Sequence, residues 1–358
     1  MSFSKIVVLG LGKVGHLAAE LLTGAGFAVT GGDITAREDA DFASTHLDVT
    51  DRQQLEGLLK ANEAVLSCLP YTLNKQVVEV AHALGIHYFD LTEDVSVTKR
   101  VRELSETSKG IMAPQCGLAP GFIGIVGADL ANRFDRVRSI RLRVGALPRN
   151  PTGLLGYAFN WSPEGVVNEY LNDCEVVEEG VRKTVSAMEW VETLYVDGVK
   201  LEAFTTSGGL GTMCETFAGR IENLDYKTMR YPGHVELMNF FFHELLMRER
   251  RDIAGQILTN AKPPVDDDVV YVHVAAEGWQ AERLLRKEFV RAYRPRLIGK
   301  RMRTAIAWTT SASVVAVIEG VRAGSLPKQG FLKQEMIPLD VFRATRTGAF
   351  FFNPPPID

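Results

Sequence analysis

The sequence has few cysteines and no histidine pattern typical of a metal site. Its 358 residues contain 4 cysteines, separated by 48, 58 and 40 positions. This spacing fits neither a disulfide framework nor a zinc ribbon. None of the seven histidines forms an i, i+4 pair beside a carboxylate, the arrangement that binds zinc on a helix. We therefore expect free thiols in a reducing, cytoplasmic compartment, and no metal.

The sequence also lacks an excess of basic charge and a long apolar run. Its 40 basic and 44 acidic residues give a net charge of −4, which provides no electrostatic basis for binding nucleic acid. The longest uncharged run, 110–128, has 19 residues but contains Pro114 and Pro120, which argues against a membrane-spanning helix. No secretory signal pattern follows Met1. We expect a soluble cytoplasmic protein with no nucleic-acid or membrane partner.

The N-terminal region carries a dinucleotide-binding pattern. A short apolar run, 5–9, leads directly into G-x-G-x-x-G, and helical spacing of apolar residues follows. In this motif Gly10 allows a tight turn, Gly12 lets a pyrophosphate approach the backbone, and Gly15 lets the helix pack against the strand. Asp33 stands at the end of the second predicted strand, as a nicotinamide dinucleotide site requires.

Strands and helices alternate as far as residue 115, which predicts an α/β fold with a Rossmann-type, doubly wound parallel sheet. Thr50 and Gln53 form a capping-box pattern ahead of one helix. Ligands of such sheets bind at the carboxyl ends of the strands. The predicted cofactor-binding residues are Gly10, Leu11, Gly12, Lys13, Val14, Gly15, Asp33, Asp48, Val49, Cys68, Leu69, Pro70, Leu91 and Gly117.

The chain length and a hydrophobic content of 46% favour more than one domain. After residue 117 the pattern changes to longer, half-exposed strands with helices between them, which predicts an inserted α+β domain. We predict a dinucleotide-binding domain over 1–117, a substrate-binding and dimerisation domain over 118–303, and a C-terminal helix and tail over 304–358 that return to the first domain.

Three polar segments of the second domain, 160–165, 206–212 and 226–234, are candidates for substrate binding. Each has a simpler interpretation as turn chemistry or as a hydrogen-bonded structural histidine. Together they place polar groups on loops, where binding residues usually lie. The predicted substrate-binding residues are Arg230, His234, Glu164, Ser207 and Gly208.

Longer motifs resemble the saccharopine dehydrogenase family over nearly the whole chain. They are Leu91-Thr92-Glu93-Asp94-Val95, the segment 114–122, Trp161-Ser162-Pro163-Glu164-Gly165 with Asn168-Glu169-Tyr170, the segment 206–212, and Arg230-Tyr231-Pro232-Gly233-His234. Within the family the resemblance is strongest to bacterial lysine 6-dehydrogenases. It implies a Rossmann domain with an inserted domain, a homodimer, and NAD(P)-dependent oxidation of a carbon–nitrogen bond in a lysine-derived amino acid. Glutamate-forming members typically have Asp-Pro-Gly where this chain has Ala119-Pro120-Gly121, a departure that favours a smaller substrate.

Oxidation of a carbon beside nitrogen requires a proton acceptor, because a lysine amine is protonated at neutral pH. Asp94, with Glu93 beside it, follows the fifth predicted strand and is our candidate base. A carboxylate at a helix N-terminus is the alternative interpretation of Asp94. Tyr71 and Cys116 match positions thought to line the same pocket in saccharopine reductases, and they complete the predicted catalytic set. Cys116 is expected to pack or orient, since hydride transfer needs no covalent intermediate.

The residues also predict a cofactor and a substrate. Asp33 favours NAD because its carboxylate repels a 2′-phosphate, whereas Arg37 allows NADP. The segments 67–74 and 91–97 contain no basic residue, which disfavours the two additional carboxylates of saccharopine. Basic residues from elsewhere, Arg141, Arg143 and Arg149 or a partner subunit, leave that alternative open.

The activity that this resemblance favours is that of a lysine 6-dehydrogenase, the conversion of lysine to 2-aminoadipate 6-semialdehyde and ammonia. One alternative is a glutamate-forming saccharopine dehydrogenase. Another, of a different class, is a dinucleotide-sensing regulatory protein.

Overall fold

The computed structural model describes residues 3–35 and 41–353. The chain divides into two compact units. The first unit is formed by Met1–Ile125 together with Ala307–Asp358, and the second unit by Val126–Ile306. Within the described ranges, none of the helices is both long and apolar enough to cross a membrane.

The N-terminal part of the chain alternates strands with helices, as the sequence pattern predicts. The strands are β1 (Lys5–Leu9), β2 (Ala28–Asp33), β3 (Ala43–His46), β4 (Ala64–Ser67), β5 (His87–Asp90) and β6 (Ile111–Ala113). The helices are α1 (Lys13–Gly24), α2 (Arg52–Lys60), α3 (Tyr71–Leu84), α4 (Val95–Ser105) and α5 (Phe122–Ala131).

The middle of the chain is richer in long strands. The strands are β7 (Arg136–Pro148), β8 (Cys174–Glu178), β9 (Val181–Val185), β10 (Glu192–Val196), β11 (Val199–Thr205), β12 (Asn223–Arg230), β13 (Asp268–Gln280), β14 (Arg283–Tyr293), β15 (Arg296–Ile298) and β16 (Arg301–Arg303). The helices are α6 (Pro163–Leu171), α7 (Met213–Thr216), α8 (His234–Asn239) and α9 (Arg251–Ala261), with a π-helical turn at Phe240–Glu244 and a 3₁₀ turn at Met247–Glu249.

The C-terminal part of the chain returns to the first unit through a long apolar helix. Its elements are α10 (Ala305–Ala323), β17 (Gly330–Phe331) and α11 (Leu339–Ala344), with 3₁₀ turns at Gln334–Met336 and Gly348–Phe351. Gly324, with a φ of +76°, ends α10. Phe351 stacks on Phe122 at 4.1 Å between ring centroids, so the C-terminal turn helps to close the core of the first unit.

The sheet of the first unit is parallel, with strand order β17-β6-β5-β4-β1-β2-β3. β1 lies inside the sheet between β4 and β2, and its residues Ile6 to Leu9 are wholly buried, as expected for a strand covered on both faces. The order reverses at β1, between β2 and β4, and doubly wound sheets bind ligands at such a reversal. The predicted Rossmann-type fold is confirmed.

Helix α2 begins differently from the prediction. Asp51 is its N-cap, and Asp51 Oδ1 accepts hydrogen bonds from the backbone N–H groups of Gln53 and Gln54. The Thr50 hydroxyl instead donates to Asp48 Oδ1 at 2.7 Å. The predicted capping box of Thr50 with Gln53 is wrong, because Asp48 engages Thr50 and leaves Asp51 to accept from the helix.

The second unit contains a mixed sheet of order β10-β11-β12-β7-β13-β14, with β8 pairing with β12 and with β9. β12 and β7 are parallel, whereas the other neighbours along this order are antiparallel. Aromatic and aliphatic residues of α6, β11 and α8, among them Tyr170, Phe204 and Met238, form part of its core. The predicted α+β architecture of this region is confirmed.

Candidate functional site

The glycine motif between β1 and α1 has the geometry that a pyrophosphate needs. Gly10 has a φ of +83°, and a Cβ on Gly15 would lie 1.8 Å from the Gly10 carbonyl oxygen. A Cβ on Gly12 would meet nothing within 4 Å. Gly12 is also the N-cap of α1, with no side-chain cap and no acidic residue in the first turn. The N-terminus of α1 is therefore open to an anion, which its free N–H groups and dipole favour.

Asp33, the last residue of β2, contacts the glycine motif directly. Its Oδ2 accepts a hydrogen bond of 2.5 Å from the backbone N–H of Leu11, and its Oδ1 accepts one of 2.9 Å from Thr35. This places a carboxylate beside the glycine motif, where an adenosine ribose lies in Rossmann domains. Arg37, the residue that argued for NADP, lies outside the described residues.

The other predicted cofactor-binding residues lie at the carboxyl ends of the parallel strands. Asp48 and Val49 follow β3, Cys68 to Pro70 follow β4, Leu91 follows β5 and Gly117 follows β6. A Cβ on Gly10 would lie 2.8 Å from the Cys68 carbonyl oxygen, so the β1 and β4 loops approach closely. The structure thus brings the predicted set to one edge of the sheet.

The candidate base Asp94 lies at the start of α4. Its Oδ1 accepts hydrogen bonds from the backbone N–H of Val97 at 2.8 Å and from the Ser96 hydroxyl at 2.6 Å. Asp94 is therefore the N-cap of the helix, in agreement with its alternative interpretation. The neighbouring Glu93 differs, since burial raises its pKa to about 7, and the negative charges of Asp94 and Asp90 add to this effect. A carboxyl with such a pKa can exchange a proton near neutral pH.

Cys116 and Tyr71, the other predicted catalytic residues, also lie at strand ends. Cys116 Sγ donates to the Ala113 carbonyl at 3.2 Å and accepts from Gln334 Nε2 at 3.2 Å. Burial is the largest cause that raises the pKa of this thiol well above its usual value. This environment suits packing and does not suit a nucleophile. Tyr71 is the first residue of α3, directly after Pro70.

Arg230, at the end of β12 in the second unit, is almost wholly buried, with 2% of its surface exposed. Its Nε donates to the Tyr170 hydroxyl at 2.7 Å, and its Nη1 donates to Thr228 Oγ1 at 2.6 Å and to the Met229 carbonyl at 2.9 Å. The guanidinium carbon lies 4.7 Å from the ring centroid of Tyr157. Among the described residues, Nη2 donates no hydrogen bond, although the charge of the buried Glu169 also acts on this guanidinium. Nη2 is therefore a candidate contact for an anion.

His234 extends the hydrogen-bond chain from Arg230. His234 Nδ1 lies 2.9 Å from the Leu155 carbonyl, which can only accept, so Nδ1 carries the proton. His234 Nε2 then accepts from the Tyr170 hydroxyl at 2.9 Å. Burial, followed by the charge of Arg230, lowers the His234 pKa to about 3. His234 is therefore a neutral residue that orients Tyr170, and Tyr170 in turn orients Arg230.

The remaining predicted substrate residues lie on or near α6 and the loop after β11. Glu164 is exposed in the first turn of α6. The Ser207 backbone N–H donates to the Glu169 carbonyl at 3.1 Å, and Gly208 has a φ of +85°. A Cβ on Gly209 would lie 2.3 Å from the Tyr226 ring, so this glycine loop packs directly over a buried tyrosine.

Sequence reasoning missed several residues that shape these sites. Tyr157 and Tyr170 contact Arg230, and the charge of Arg230 acts on the buried Tyr226, but buried tyrosines in a sequence are indistinguishable from ordinary core residues. Asp90, at the end of β5, is a wholly buried carboxyl that we did not single out. Its position at the end of a predicted strand does not indicate burial, because a charged residue at a strand end usually lies in solvent.

A second group of buried charges lies on β7, β10 and β12. Arg143 forms ion pairs with Glu192 and, at 2.7 Å, with Asp225, and Lys227 Nζ lies 3.2 Å from Glu192. Arg143 and Lys227 are 2% and 5% exposed. These two cations are thus already neutralised by carboxylates of their own unit, a condition that buried charges generally require.

Comparison with known proteins agrees with the geometry of the first unit. An open glycine motif on a doubly wound parallel sheet defines a Rossmann-type dinucleotide-binding domain. A family model described as the saccharopine dehydrogenase NADP binding domain matches residues 6–113, and one described as the saccharopine dehydrogenase C-terminal domain matches residues 117–344. The chain belongs to the saccharopine dehydrogenase family, as its motifs predicted. The matched domain is named for NADP, which the sequence analysis allowed beside NAD.

Individual relatives are more distant. Saccharopine dehydrogenase (NADP(+), L-glutamate-forming) of Saccharomyces cerevisiae is 29% identical over 156 residues, which cover 41% of this chain and 34% of that protein. The protein of the same name from Pyricularia oryzae is 24% identical over 209 residues, or 54% of this chain and 46% of that protein. The chain thus spans less than half the length of these curated relatives.

A solved structure shares the fold over most of the chain. Apo saccharopine dehydrogenase (L-Glu forming) from Saccharomyces cerevisiae has a TM-score of 0.72 and 16% identity, and the match covers 93% of this chain and 94% of that chain.

Proposed function

We propose that this chain is an NAD(P)-dependent dehydrogenase that oxidises a carbon–nitrogen bond of lysine or of a lysine-derived amino acid. The observation that carries the proposal is the open N-terminus of α1 behind the glycine motif, in a chain of the saccharopine dehydrogenase family. The four cysteines are free thiols, in keeping with the cytoplasmic compartment that we propose.

The first unit supplies the redox half of this proposal. Gly10 to Gly15 would hold the pyrophosphate, and Asp33 would accept hydrogen bonds from the adenosine ribose. The bound nicotinamide supplies a hydride acceptor. Asp94 and Glu93 follow β5, and Glu93 has a pKa of about 7, so it can take the proton that an amine must lose before oxidation.

A buried arginine of the second unit is our candidate for binding a substrate carboxylate. Arg230 is buried among Tyr157 and Tyr170, and its Nη2 donates no hydrogen bond in the part of the chain that the structure describes. A charge-assisted hydrogen bond to a substrate carboxylate would satisfy this donor. Nε and Nη1 are already engaged, so we expect the carboxylate to be held by Nη2 rather than by both arms of the guanidinium fork.

Lysine is the substrate that we favour. Saccharopine carries two more carboxylates, and each needs a cation when it is buried. Arg143 and Lys227, which are buried in the second unit, are already paired with Glu192 and Asp225. In the proposed reaction, the ammonium group of lysine would first lose a proton, and the ε-carbon would then give up a hydride to the dinucleotide, which leaves a protonated imine. Water then replaces ammonia and yields the semialdehyde.

A glutamate-forming saccharopine dehydrogenase is the second candidate. It is favoured by the curated relatives from two fungi and by the solved yeast structure, which are glutamate-forming saccharopine dehydrogenases. A regulatory protein that binds the dinucleotide without turnover is the candidate of another class.

One experiment separates these three candidates. Purified protein is incubated with NAD or NADP and with lysine, saccharopine or shorter diamino acids, while absorbance of the reduced nicotinamide is recorded and products are identified by mass spectrometry. Ammonia from lysine, together with the cyclic imine that forms when the semialdehyde closes on its own α-amine, supports our proposal. Glutamate released from saccharopine, with lysine untouched, supports the second candidate. Tight dinucleotide binding without turnover of any amine supports a sensor.

We also propose that the chain forms a homodimer through β14, which stands at the end of its sheet order. Leu284 and Leu285 point to opposite faces of this strand and are 45% and 38% exposed, so an apolar residue is uncovered on each face. Antiparallel pairing of two β14 strands about Lys287 would place Arg286 opposite Glu288 and Leu285 opposite Phe289. Opposite charges and apolar pairs across two strands are stabilising.

The dimer proposal is tested by sedimentation velocity on wild type and on Leu285→Lys. We expect a dimer that dissociates in the variant, because a charge on the edge strand opposes pairing. Leu297→Lys is the matched control, since Leu297 is 63% exposed but lies on β15. A Leu285→Lys protein that remains dimeric would exclude this interface.

A further inference from the structure

Asp90, the last residue of β5, is a wholly buried carboxylate with three hydrogen-bond donors. Asp90 Oδ2 accepts from the Tyr88 hydroxyl at 2.6 Å, and Oδ1 accepts from the backbone N–H groups of Thr92 at 2.9 Å and Gln115 at 3.0 Å. Its own carbonyl accepts from the Cys116 N–H at 2.9 Å. One residue thus links the loop after β5 to the loop after β6.

These two loops carry much of the proposed chemistry of the first unit. Leu91, Glu93 and Asp94 lie on the loop after β5, and Cys116 and Gly117 lie on the loop after β6. Residues that touch a cofactor must be held within a fraction of an ångström by their surroundings. The Asp90 carboxylate binds the backbone of both loops, so a displacement of either loop would break a hydrogen bond to it.

Asp90 also lacks the partner that a buried charge usually has. In residues 3–35 and 41–353, no Lys, Arg or His forms an ion pair with it. The titratable groups near it are Tyr88 on its own strand, Cys68 after β4, Cys116 after β6 and Glu93 on the following loop. Burial is the largest cause that raises the pKa of each of these groups, and the charge of Asp90 adds to it. A purely structural role would be served as well by an uncharged amide, without the cost of burying a charge.

We propose that Asp90 is a positioning residue that fixes the β5 and β6 loops in one arrangement, so that Glu93 and Gly117 are presented together at the strand ends. Burial and the charge of Asp94 raise the pKa of the Glu93 carboxyl, and the negative charge of Asp90 adds to this effect, which helps to keep Glu93 able to exchange a proton at neutral pH. The catalytic part of this proposal rests on the proposed dehydrogenase function, whereas the loop arrangement and the Glu93 titration do not.

Three variants separate charge from hydrogen bonding. Asp90→Asn keeps an oxygen acceptor for the Thr92 and Gln115 N–H groups but removes the charge. Asp90→Ala removes both. Tyr88→Phe is the matched control, because it removes the third donor and leaves the carboxylate with both loop contacts.

The first measurement needs no turnover. The Glu93 carboxyl is titrated by ¹³C NMR in protein labelled at glutamate Cδ, and its signal is assigned with Glu93→Gln. We expect Asp90→Asn to lower the midpoint of this titration by roughly 0.5–1 pH unit, since a nearby like charge is removed. Tyr88→Phe raises the Asp90 pKa, because the Tyr88 hydroxyl stabilises the ionised carboxylate, so its Glu93 midpoint should fall between those of wild type and Asp90→Asn. If the Glu93 midpoint is the same in wild type and Asp90→Asn, the proposed effect of the Asp90 charge on the Glu93 carboxyl is overturned.

The second measurement is calorimetric binding of NADP and NAD. We expect Asp90→Ala to weaken binding of the dinucleotide at least tenfold, and Asp90→Asn and Tyr88→Phe to bind like wild type. Folding of each variant is checked by its thermal transition. A folded Asp90→Ala that binds the dinucleotide like wild type would overturn the positioning role.

If an amine is oxidised, the acidic limb of the kcat/KM profile in Asp90→Asn should shift with the Glu93 midpoint. If no amine is oxidised, the proposed function fails, but the NMR and binding measurements still decide the role of Asp90.

Discussion

The anchoring role of Arg230 leads to a prediction about one conservative substitution, Arg230→Lys. Lysine keeps the positive charge but presents a single ammonium in place of three guanidinium nitrogens. Arg230 uses Nε and Nη1 to bind Tyr170, Thr228 and the Met229 carbonyl. An ammonium cannot satisfy these internal acceptors and a substrate carboxylate at the same time, so we expect it to remain with the internal acceptors.

The expected loss of substrate affinity follows from the hydrogen bond that Nη2 would no longer donate to the substrate carboxylate. A hydrogen bond to a charged group contributes about 1.5–3 kcal/mol, so the loss of the Nη2 contact should raise the substrate KM roughly 10- to 150-fold. The internal network also loses a donor to Tyr170 or Thr228, and we expect the free energy of unfolding to fall by about 1–3 kcal/mol. Dinucleotide affinity should not change, because the cofactor-binding residues belong to the first unit.

Initial rates with lysine and saccharopine give KM and kcat, calorimetry gives dinucleotide affinity, and urea unfolding gives stability. Thr228→Val is the matched control, since it removes an acceptor of Nη1, costs stability and leaves Nη2 in place; its substrate KM should stay near wild type. If Arg230→Lys loses dinucleotide binding while the substrate KM holds, Arg230 is structural and the carboxylate is bound elsewhere.

Three further predictions concern the first unit. Gly12→Ala should fold like wild type, because its Cβ meets open space, but it should bind the dinucleotide weakly. Gly15→Ala should lower the melting temperature, because its Cβ would lie 1.8 Å from the Gly10 oxygen. Scanning fluorimetry with and without cofactor compares them, and equal melting temperatures would contradict the packing argument. Asp33→Ala should lower the ratio of kcat/KM with NAD to that with NADP, and an unchanged ratio would show that Asp33 does not discriminate. Burial raises the Asp90 pKa from its usual 3.8 to about 6, so protonation of Asp90 stabilises the folded state. This contribution to the free energy of unfolding is complete below about pH 4 and is lost as pH rises through 6. Urea unfolding of Asp90→Asn at pH 5 and 8 should therefore show less loss of stability with rising pH than wild type, by about 1.4 kcal/mol, and parallel pH profiles would refute this.

The parallel sheet was predictable because its signals are local. The apolar run before Gly10, the glycine spacing and the helical periodicity each reside within about twenty residues of chain. β14 was harder to predict, because it carries charged residues on both faces and gives no alternation of apolar and polar positions. The start of α2 shows a finer limit: Thr50, Asp51 and Asp48 are all capping residues, and only the observed hydrogen bonds decide which of them caps the helix.

The candidate sites were only partly predictable for a different reason. Arg230 stood out because an arginine beside a Pro-Gly turn is unusual, whereas Tyr170 and Tyr157, which position it, look like core residues in the sequence. The role of Asp90 depends on Gln115, which is 25 positions away along the chain. Such a contact exists only after β5 and β6 have paired, so local sequence patterns carry no trace of it.

The first unit is built from two separate stretches of chain, whereas the second unit is continuous. During synthesis from the N-terminus, the whole second unit therefore leaves the ribosome while the first unit still lacks β17 and α10. In that interval β6 has an unpaired edge, and Phe122 lacks the ring of Phe351 that stacks on it. The insertion thus sets an order of assembly, because the unit that would bind the dinucleotide is completed only after the second unit has been synthesised.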